Sequence, residues 1–366
     1  MNNIIKTSQP FFELLLVSIF IIDIGSYFFD VNFITRYSPF ILGSFFLYYI
    51  ASRSMDFIYI SLVLSLIFII CMLYNQDSSL NIITILINIS MGWYLYLHNP
   101  RKNFYTILIS LTGLLVGYRY ISYQDVELVL ASGSQNYLSV IFISLSILYY
   151  TFIPKKGDLV SLYPALVTLI FSVLATGRSG IASSMVLLFG IFFYNFFFIQ
   201  KTKFSNFSYF LLAIVSLYYI YIFSEIIYNI DQPSSLLWRF SFGYENDGRL
   251  QILNQYLTDF SFMNFVFGRG NELILNTLDM SVHISFIQWH ISLGFAAFFL
   301  YILVILSYFK MYKINKLYFI LMTTILMRGA TDHIMLSAGF IFGPLLVYYC
   351  MYIFFPDYPL TKHHHH

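Results

Sequence analysis

The polar segment from Asp247 to Gly294 carries the residue types best suited to chemistry in this chain. It holds Arg249, Arg269 and His283 inside a sequence that is otherwise almost continuously apolar. A guanidinium group is permanently charged and binds phosphate oxygens through two parallel hydrogen bonds. An imidazole titrates near neutral pH and can accept a proton as a general base. The segment therefore predicts an anion-binding site with a base beside it.

Arg249 is expected in the first turn of an amphipathic helix that lies at the membrane surface, with Asp247 as its cap. A cation opposes the helix dipole there, so an anion held jointly by Arg249 and the free helix amides would compensate it. A salt bridge to Glu245 or Asp247 is the alternative. The helix is predicted from the spacing of its apolar residues, which are Leu250, Leu253, Leu257 and Phe260.

Arg269 stands between two glycines, and His283 opens the next apolar run. Gly268 and Gly270 let the backbone turn sharply and approach a ligand, which would project Arg269 into the site. A plain turn with no ligand is the competing interpretation. His290 lies seven residues after His283, near the same helix face, and is expected to be a hydrogen-bonded packing residue.

Two short turns bring further arginines to the same predicted face. Arg178 lies in the turn Thr-Gly-Arg-Ser-Gly, which must hold it at the interface. Arg328 precedes a Gly-Ala-Thr-Asp sequence, and its spacing to Asp332 allows an i, i+4 ion pair. Arg328 could therefore either bind an anion or form a purely structural ion pair, and the sequence leaves both alternatives open.

Composition places these residues in a membrane protein. Hydrophobic residues make up 59% of the chain, charged residues only 10%, and the mean hydropathy is +0.76. Soluble domains carry about 25% charged residues, and a spanning helix needs ~20 apolar residues. We predict an all-α, polytopic protein with about 12 transmembrane helices, at 10–29, 39–51, 57–74, 80–97, 104–116, 137–152, 159–175, 181–199, 207–227, 284–309, 317–327 and 335–355.

Proline positions refine these boundaries. Pro10 and Pro39 are expected at helix edges, where a missing backbone donor does no harm. Pro164 and Pro344 are expected inside spans, where they would produce kinks.

Basic residues predict the orientation. If successive connections alternate in side, every lysine falls on one face, and that face is cytoplasmic because Lys and Arg accumulate there. Both termini are then cytoplasmic, and residues 228–282 form one large periplasmic loop in a single transmembrane domain, 1–362. Residues 363–366 are a tag remnant. The basic residues on the opposite face are all arginines. They are Arg36, Arg119, Arg178, Arg239, Arg249, Arg269 and Arg328.

The order of these motifs resembles the O-antigen ligase and O-antigen polymerase superfamily. The resemblance covers about 176–294: an Arg-Ser-Gly turn at Arg178, a Gly-Arg helix start at Arg249, the Gly268 to Gly270 turn, and His283 followed by Gly294. The ligase-like pattern has Asn or Ser directly after the His, whereas Ile284 stands here with Ser285 next. The resemblance implies a GT-C-like, metal-independent glycosyltransferase of the bacterial inner membrane.

The resemblance also implies roles for the residues. His283 would be the catalytic base, Gly268 and Gly270 would shape the loop, and no metal or other cofactor would be needed. The donor and acceptor would be undecaprenyl-pyrophosphate-linked oligosaccharides in membrane lipid, with a chain-length regulator protein as a further partner and no nucleic acid. The pyrophosphate would be held by Arg178, Arg249, Arg269 and Arg328.

Within the superfamily a polymerase is favoured over a ligase that transfers glycan to lipid A core, because the chain is short and matches the ligase pattern loosely. The alternative from another class is a polysaccharide lipid flippase or transporter, for which twelve spans are equally natural. A transporter should carry charge near the bilayer midplane. Here the charges gather at the outer turns, and the acids within predicted spans are Glu13, Asp23 and Glu225.

Overall fold

The computed structural model confirms the all-α prediction for the part of the chain that it describes. Within that part every regular element is a helix, and lipid favours helices because they satisfy their own backbone hydrogen bonds. The described residues are 2–29, 33–74, 82–98, 100, 102–126, 128–131, 136–152, 159–175, 177–199, 248–258, 260–269, 285–332 and 342–355.

Fourteen α-helices and one π-helical segment are described, and all later labels refer to them. They are α1 (Asn2–Phe28), α2 (Phe33–Ala51), α3 (Met55–Tyr74), α4 (Ile82–His98), α5 (Lys102–Tyr123), α6 (Tyr137–Thr151), α7 (Tyr163–Leu174), α8 (Arg178–Phe193) with the π-helix Tyr194–Ile199, α9 (Gly248–Leu257), α10 (Phe262–Phe267), α11 (Ser285–Leu293), α12 (Ala296–Ile314), α13 (Lys316–Gly329) and α14 (Phe342–Phe354).

Five of the described helices are long and apolar enough to cross a membrane, as expected of a helical membrane protein. They are Pro10–Phe28, Met55–Tyr74, Phe104–Tyr123, Ser179–Phe196 and Ala296–Ile314. Five further apolar helices are shorter, and the predicted span at 207–227 lies outside the described residues. The shorter helices are Tyr37–Ala51, Ile82–His98, Asn136–Thr151, Tyr163–Leu174 and Phe342–Phe354.

The structure tests three of the four proline predictions. Pro10 and Pro39 lie inside α1 and α2, although Pro10 is the first residue of the apolar span Pro10–Phe28, as predicted. The kink predicted at Pro164 was wrong, because Pro164 lies in the first turn of α7, where no helical hydrogen bond needs the missing N–H. Residues 333–341, before Pro344, lie outside the described residues, so the kink at Pro344 stays a prediction.

The predicted tenth span, 284–309, is not one continuous helix. Gly294 has a φ of +51° and separates α11 from α12. This left-handed conformation ends a helix readily only at a residue without a Cβ. α11 is therefore separate from α12, and its nine described residues extend over about 13 Å.

Helices α4, α6 and α14 are buried along most of their length, whereas α3 and α12 expose one broad apolar face. Helices α4 and α14 approach each other closely. A Cβ on Gly92 would lie 2.6 Å from the Pro344 carbonyl oxygen, and one on Gly343 would lie 2.6 Å from the Asn88 side chain. Small residues allow such contact between helices in lipid, where dispersion drives packing. This pair forms the centre of the bundle.

Helix ends meet in two separate groups. At one end the start of α6 packs near the end of α1, where Tyr27 and Tyr137 stack at 5.1 Å between ring centroids. At the opposite end the Thr151 and Tyr349 hydroxyls, on α6 and α14, hydrogen-bond at 2.6 Å. Helices that the sequence predicts to end on the same side of the membrane thus meet each other. Which end faces the periplasm stays a prediction.

Candidate functional site

Arg328, in the last turn of α13, is the centre of a buried polar cluster. Its side chain is fully buried and its Nη1 lies 2.5 Å from Asp332 Oδ2, so the i, i+4 ion pair exists. The same nitrogen donates to the Ser179 hydroxyl, and Nη2 donates to the Asn136 carbonyl at 3.2 Å. A buried charge needs such partners because desolvation alone would be strongly unfavourable. We call Asn136, Ser179, Ser285, Arg328 and Asp332 the Arg328 cluster.

The cluster joins four helix ends that are far apart in sequence. Asn136 precedes α6, Ser179 is in the first turn of α8, and Arg328 closes α13. Ser285, the first residue of α11, donates its hydroxyl hydrogen to the Asp332 carbonyl at 2.5 Å. One guanidinium group and one turn therefore fix the starts of α8 and α11 relative to each other.

Two predicted site residues adjoin this cluster in sequence. Arg178 is the first residue of α8, directly before Ser179, although its side chain lies outside the described residues. The N-cap residue, Gly177, supplies no side-chain hydrogen bond to the helix amides. His283 lies outside the described residues, and α11 begins two residues after it. The cluster thus includes Ser179, which follows Arg178 in sequence, and Ser285, which is two residues after His283.

The role of Arg328 as a pyrophosphate ligand stays a prediction. Its Nη1 and Nη2 contact Ser179, Asn136 and Asp332, and its side chain is fully buried. In this arrangement it positions the start of α8. The structural ion pair, left open as the alternative, is the state observed.

The other end of α11 carries a second site, built around His290. The Tyr256 hydroxyl of α9 hydrogen-bonds His290 Nδ1, and His290 Nε2 lies 3.1 Å from the Phe265 carbonyl of α10. Three phenylalanine rings have centroids about 6 Å from the imidazole, a usual separation for packed aromatic rings. We call Tyr256, His290 and those three residues, Phe260, Phe265 and Phe298, the His290 cage.

The partners of His290 fix one of its two ring hydrogens. A backbone carbonyl can only accept, so Nε2 carries a hydrogen, and in the neutral ring Nδ1 accepts from the Tyr256 hydroxyl. α11 lies outside the five helices long enough to span. Burial lowers the pKa of His290 below its usual 6.5, partly offset by its bond to Phe265, and burial raises the pKa of Tyr256. His290 is a neutral, hydrogen-bonded packing residue, as the sequence indicated.

Two glycines let the described residues of segment 248–269, which contains α9 and α10 and is called the arm below, approach α11 closely. Gly268 has a φ of +83°, and a Cβ there would lie 2.5 Å from the His290 carbonyl oxygen. Gly294 has a φ of +51°, and a Cβ there would lie 2.7 Å from the Phe267 carbonyl carbon. The Phe295 amide also donates to the Val266 carbonyl at 2.9 Å. Gly268 therefore shapes the loop by docking it against α11, while Gly270 lies outside the described residues.

Arg269 forms hydrogen bonds with other residues of the arm. Its Nη1 donates to the Tyr256 carbonyl at 3.1 Å and to the Thr258 carbonyl. These carbonyls belong to the end of α9, where acceptors lack helical partners and a cation is favoured by the helix dipole. Arg269 thus closes the end of α9, and its contact with a ligand stays a prediction.

α9 confirms the amphipathic helix predicted after Gly248, but the buried face differs. Ile252 and Tyr256 pack against Ile291 of α11, whereas Leu253 and Leu257, predicted as the apolar face, are exposed. Arg249 is part of α9, and its side chain is outside the described residues, as are the residues before Gly248, so its place in the first turn stays a prediction. Asp247, the predicted cap, is also outside them.

The sequence argument did not identify Asn136, Ser179 or Tyr256 as site residues. Asn136 contributes a backbone carbonyl, which every residue has, so its side chain gave no signal. Tyr256 is one of 32 tyrosines, and only its position four residues after Ile252 on one helix face could have selected it.

No known protein family, curated protein or solved structure matches this chain. The function proposed below therefore depends on the order of the sequence motifs and on the geometry of the Arg328 cluster and the His290 cage.

Proposed function

We propose that this chain is a periplasmic-side polymerase of the bacterial inner membrane, with twelve spans and a GT-C-like fold. It transfers an undecaprenyl-pyrophosphate-linked oligosaccharide, of the O-antigen or capsular type, onto a second lipid-linked repeat unit. The observation that carries the proposal is the Arg328 cluster. Its hydrogen bonds tie the turn that holds Arg178 to the helix that starts two residues after His283.

The reaction requires a base and a stabilised leaving group at the same place. His283 takes the proton from an acceptor sugar hydroxyl, whose oxygen forms a bond to the anomeric carbon of the donor. The bond from that carbon to the pyrophosphate oxygen breaks, and the lipid pyrophosphate leaves with the electron pair. A positioned base contributes roughly 10²- to 10⁴-fold in rate, and charged donors near the leaving oxygens stabilise the transition state.

Arg178 and Arg249 are the arginines best placed to hold the pyrophosphate. Arg178 lies in the first turn of α8, where free amides and the helix dipole favour an anion, and Arg249 is the second described residue of α9. Arg269 and Arg328 already donate to protein acceptors, so their part in the proposal is to hold α9 and α8 in position.

The decisive experiment uses purified protein reconstituted with lipid-linked repeat units, and reads polymer ladders on a gel. His283→Ala should insert and bind donor but form no polymer. His98→Ala is the matched control, because His98 bonds Tyr49 at the opposite end of the bundle and should leave polymerisation intact. Polymer should also form in the presence of a metal chelator. Abundant polymer from His283→Ala would refute the assigned base, and lipid translocation without bond formation would favour a transporter.

The arginine clamp has its own test in the same assay. Arg178→Lys and Arg249→Lys should lose activity nearly as severely as the alanine variants, because Lys cannot make two parallel bonds to phosphate. A charged hydrogen bond contributes about 1.5 to 3 kcal/mol, or roughly 10- to 100-fold. Arg119→Lys is the control, since Arg119 donates to the Phe28 carbonyl and a lysine can do so too. Full activity of both lysine variants would contradict the clamp.

A further inference from the structure

An apolar groove of about 830 Å³ separates α3 from α12. Side chains of α4 and α14 also line it, and it reaches from Asp56, in the first turn of α3, to Trp289 of α11. Both α3 and α12 are among the five helices long and apolar enough to cross a membrane. A groove between such helices faces hydrocarbon, and dispersion energy is lost wherever its walls have no neighbour.

The groove has the length of one lipid leaflet. Asp56 and Ile67 both line it, and at 1.5 Å per residue they are about 17 Å apart along α3. Half of a ~30 Å hydrocarbon core is about 15 Å. One extended acyl chain therefore fits along the wall, starting at the headgroup level where α3 begins.

Asp56 gives the groove a negative charge at that level. It is the charged residue among those that line the groove, and its side chain is exposed. No ion pair is formed by Asp56 among the described residues. Arg53, three residues earlier, lies over the Tyr49 ring at 3.8 Å and donates to the Tyr49 hydroxyl, so its guanidinium is directed to α2.

This charge selects between lipid headgroups. A headgroup that ends in phosphate or pyrophosphate would be repelled by Asp56, whereas an ammonium group would be attracted. At the other end of the groove the lining residues Trp289, Ala296 and Phe299 offer no charge to a headgroup. The polar end of an occupant must therefore meet Asp56.

We propose that this groove binds a phospholipid with an ammonium headgroup, such as phosphatidylethanolamine. One acyl chain lies along α3 and α12, and the ammonium group pairs with Asp56. The proposal does not depend on the polymerase function, because a lipid site of this kind could serve any membrane protein.

The test measures which lipids remain with the purified full-length protein after exchange into an equal mixture of phosphatidylethanolamine and phosphatidylglycerol. Mass spectrometry should show enrichment of phosphatidylethanolamine. Asp56→Asn should reduce that enrichment by about fivefold, since one charge at a lipid surface contributes about 1 kcal/mol. Asp56→Glu should keep it.

A second pair of variants tests the apolar wall. Leu303→Trp, at a groove-lining position, should reduce the amount of bound lipid. Ile302→Trp, at the neighbouring position outside the lining, should not. Equal retention of both lipids, unchanged enrichment in Asp56→Asn, or preferential retention of an added polyprenyl phosphate would each overturn the proposal. If Leu303→Trp does not fold, the comparison of Asp56→Asn with Asp56→Glu still tests the proposed lipid site.

Discussion

The Arg328 cluster and the His290 cage lie at opposite ends of the short helix α11, and each ties it to other helices by different physical means. The cluster holds a fully buried cation with an ion pair and neutral acceptors. The cage holds a neutral ring with one donated and one accepted hydrogen bond and with aromatic packing. Because its cation is buried, the Arg328 cluster is sensitive to the loss of a partner. The His290 cage holds no buried charge, so it is expected to tolerate a side chain that preserves the hydrogen bonds to Tyr256 and Phe265.

The largest expected effect on stability comes from removing one member of the ion pair between Arg328 and Asp332. Asp332→Asn leaves the buried Arg328 cation without its countercharge, which should destabilise the protein by about 3 to 5 kcal/mol. Arg328→Met removes that cation and leaves Asp332, which is 20% exposed and can be hydrated, so the loss should be smaller. Melting of the purified variants in detergent measures both.

The double variant Asp332→Asn, Arg328→Met should then melt above Asp332→Asn alone. A single variant Asp332→Asn that melts at or above Arg328→Met would show that the buried cation does not need its partner.

The next effect concerns the contact of the arm with α11. Gly294→Ala should destabilise the protein by about 1 to 3 kcal/mol, because Ala resists the left-handed conformation and its Cβ would overlap the backbone of Phe267. Gly25→Ala is the control, since a Cβ on Gly25 meets nothing within 4 Å. It should be neutral or slightly stabilising. Cleavage of the arm by an added protease should increase only in Gly294→Ala, and equal protection of both variants would contradict the docking.

A smaller effect is expected within the cage. Tyr256→Phe removes the hydroxyl that donates to His290 Nδ1 and leaves a buried acceptor unpaired, at about 1 to 2 kcal/mol. Tyr312→Phe is a suitable comparison, because Tyr312 is 50% exposed and should tolerate the loss of its hydroxyl. The difference in melting temperature between the two variants reports the bond, and no difference would argue against it.

The smallest effect is the pH dependence of the cage. Burial holds the pKa of His290 below its unfolded value of 6.5, so folding favours the neutral ring. The stabilisation is present above about pH 6.5 and is lost as the pH falls through this region. His290→Gln can donate to the Phe265 carbonyl and accept from Tyr256, yet does not titrate. Its melting temperature should fall less than that of the parent protein on acidification, and an identical fall would exclude His290 as the source.

Local patterns were sufficient for the helical class, for the presence of a helix after Gly248 though not for its buried face, and for the pairing of Arg328 with Asp332. Each depends on residues within a few turns of one another or on overall composition, which the sequence displays directly. The hydropathy pattern did not predict where a helix breaks. An apolar run such as 284–309 contains no signal of where it breaks, because Gly294 could also have been a helical residue packed against a neighbour.

Only the tertiary structure decided what the arginines and histidines contact. The sequence determined that Arg328 and Arg269 are cations at helix ends, but the acceptors they use, Ser179 and the carbonyl of Tyr256, depend on which helix ends meet. The same holds for His290, whose two hydrogen-bond partners lie on separate helices and whose neutral form is favoured by burial. Polar partners in this chain are brought together by the packing of apolar helices, which is non-directional, so no local spacing could encode them.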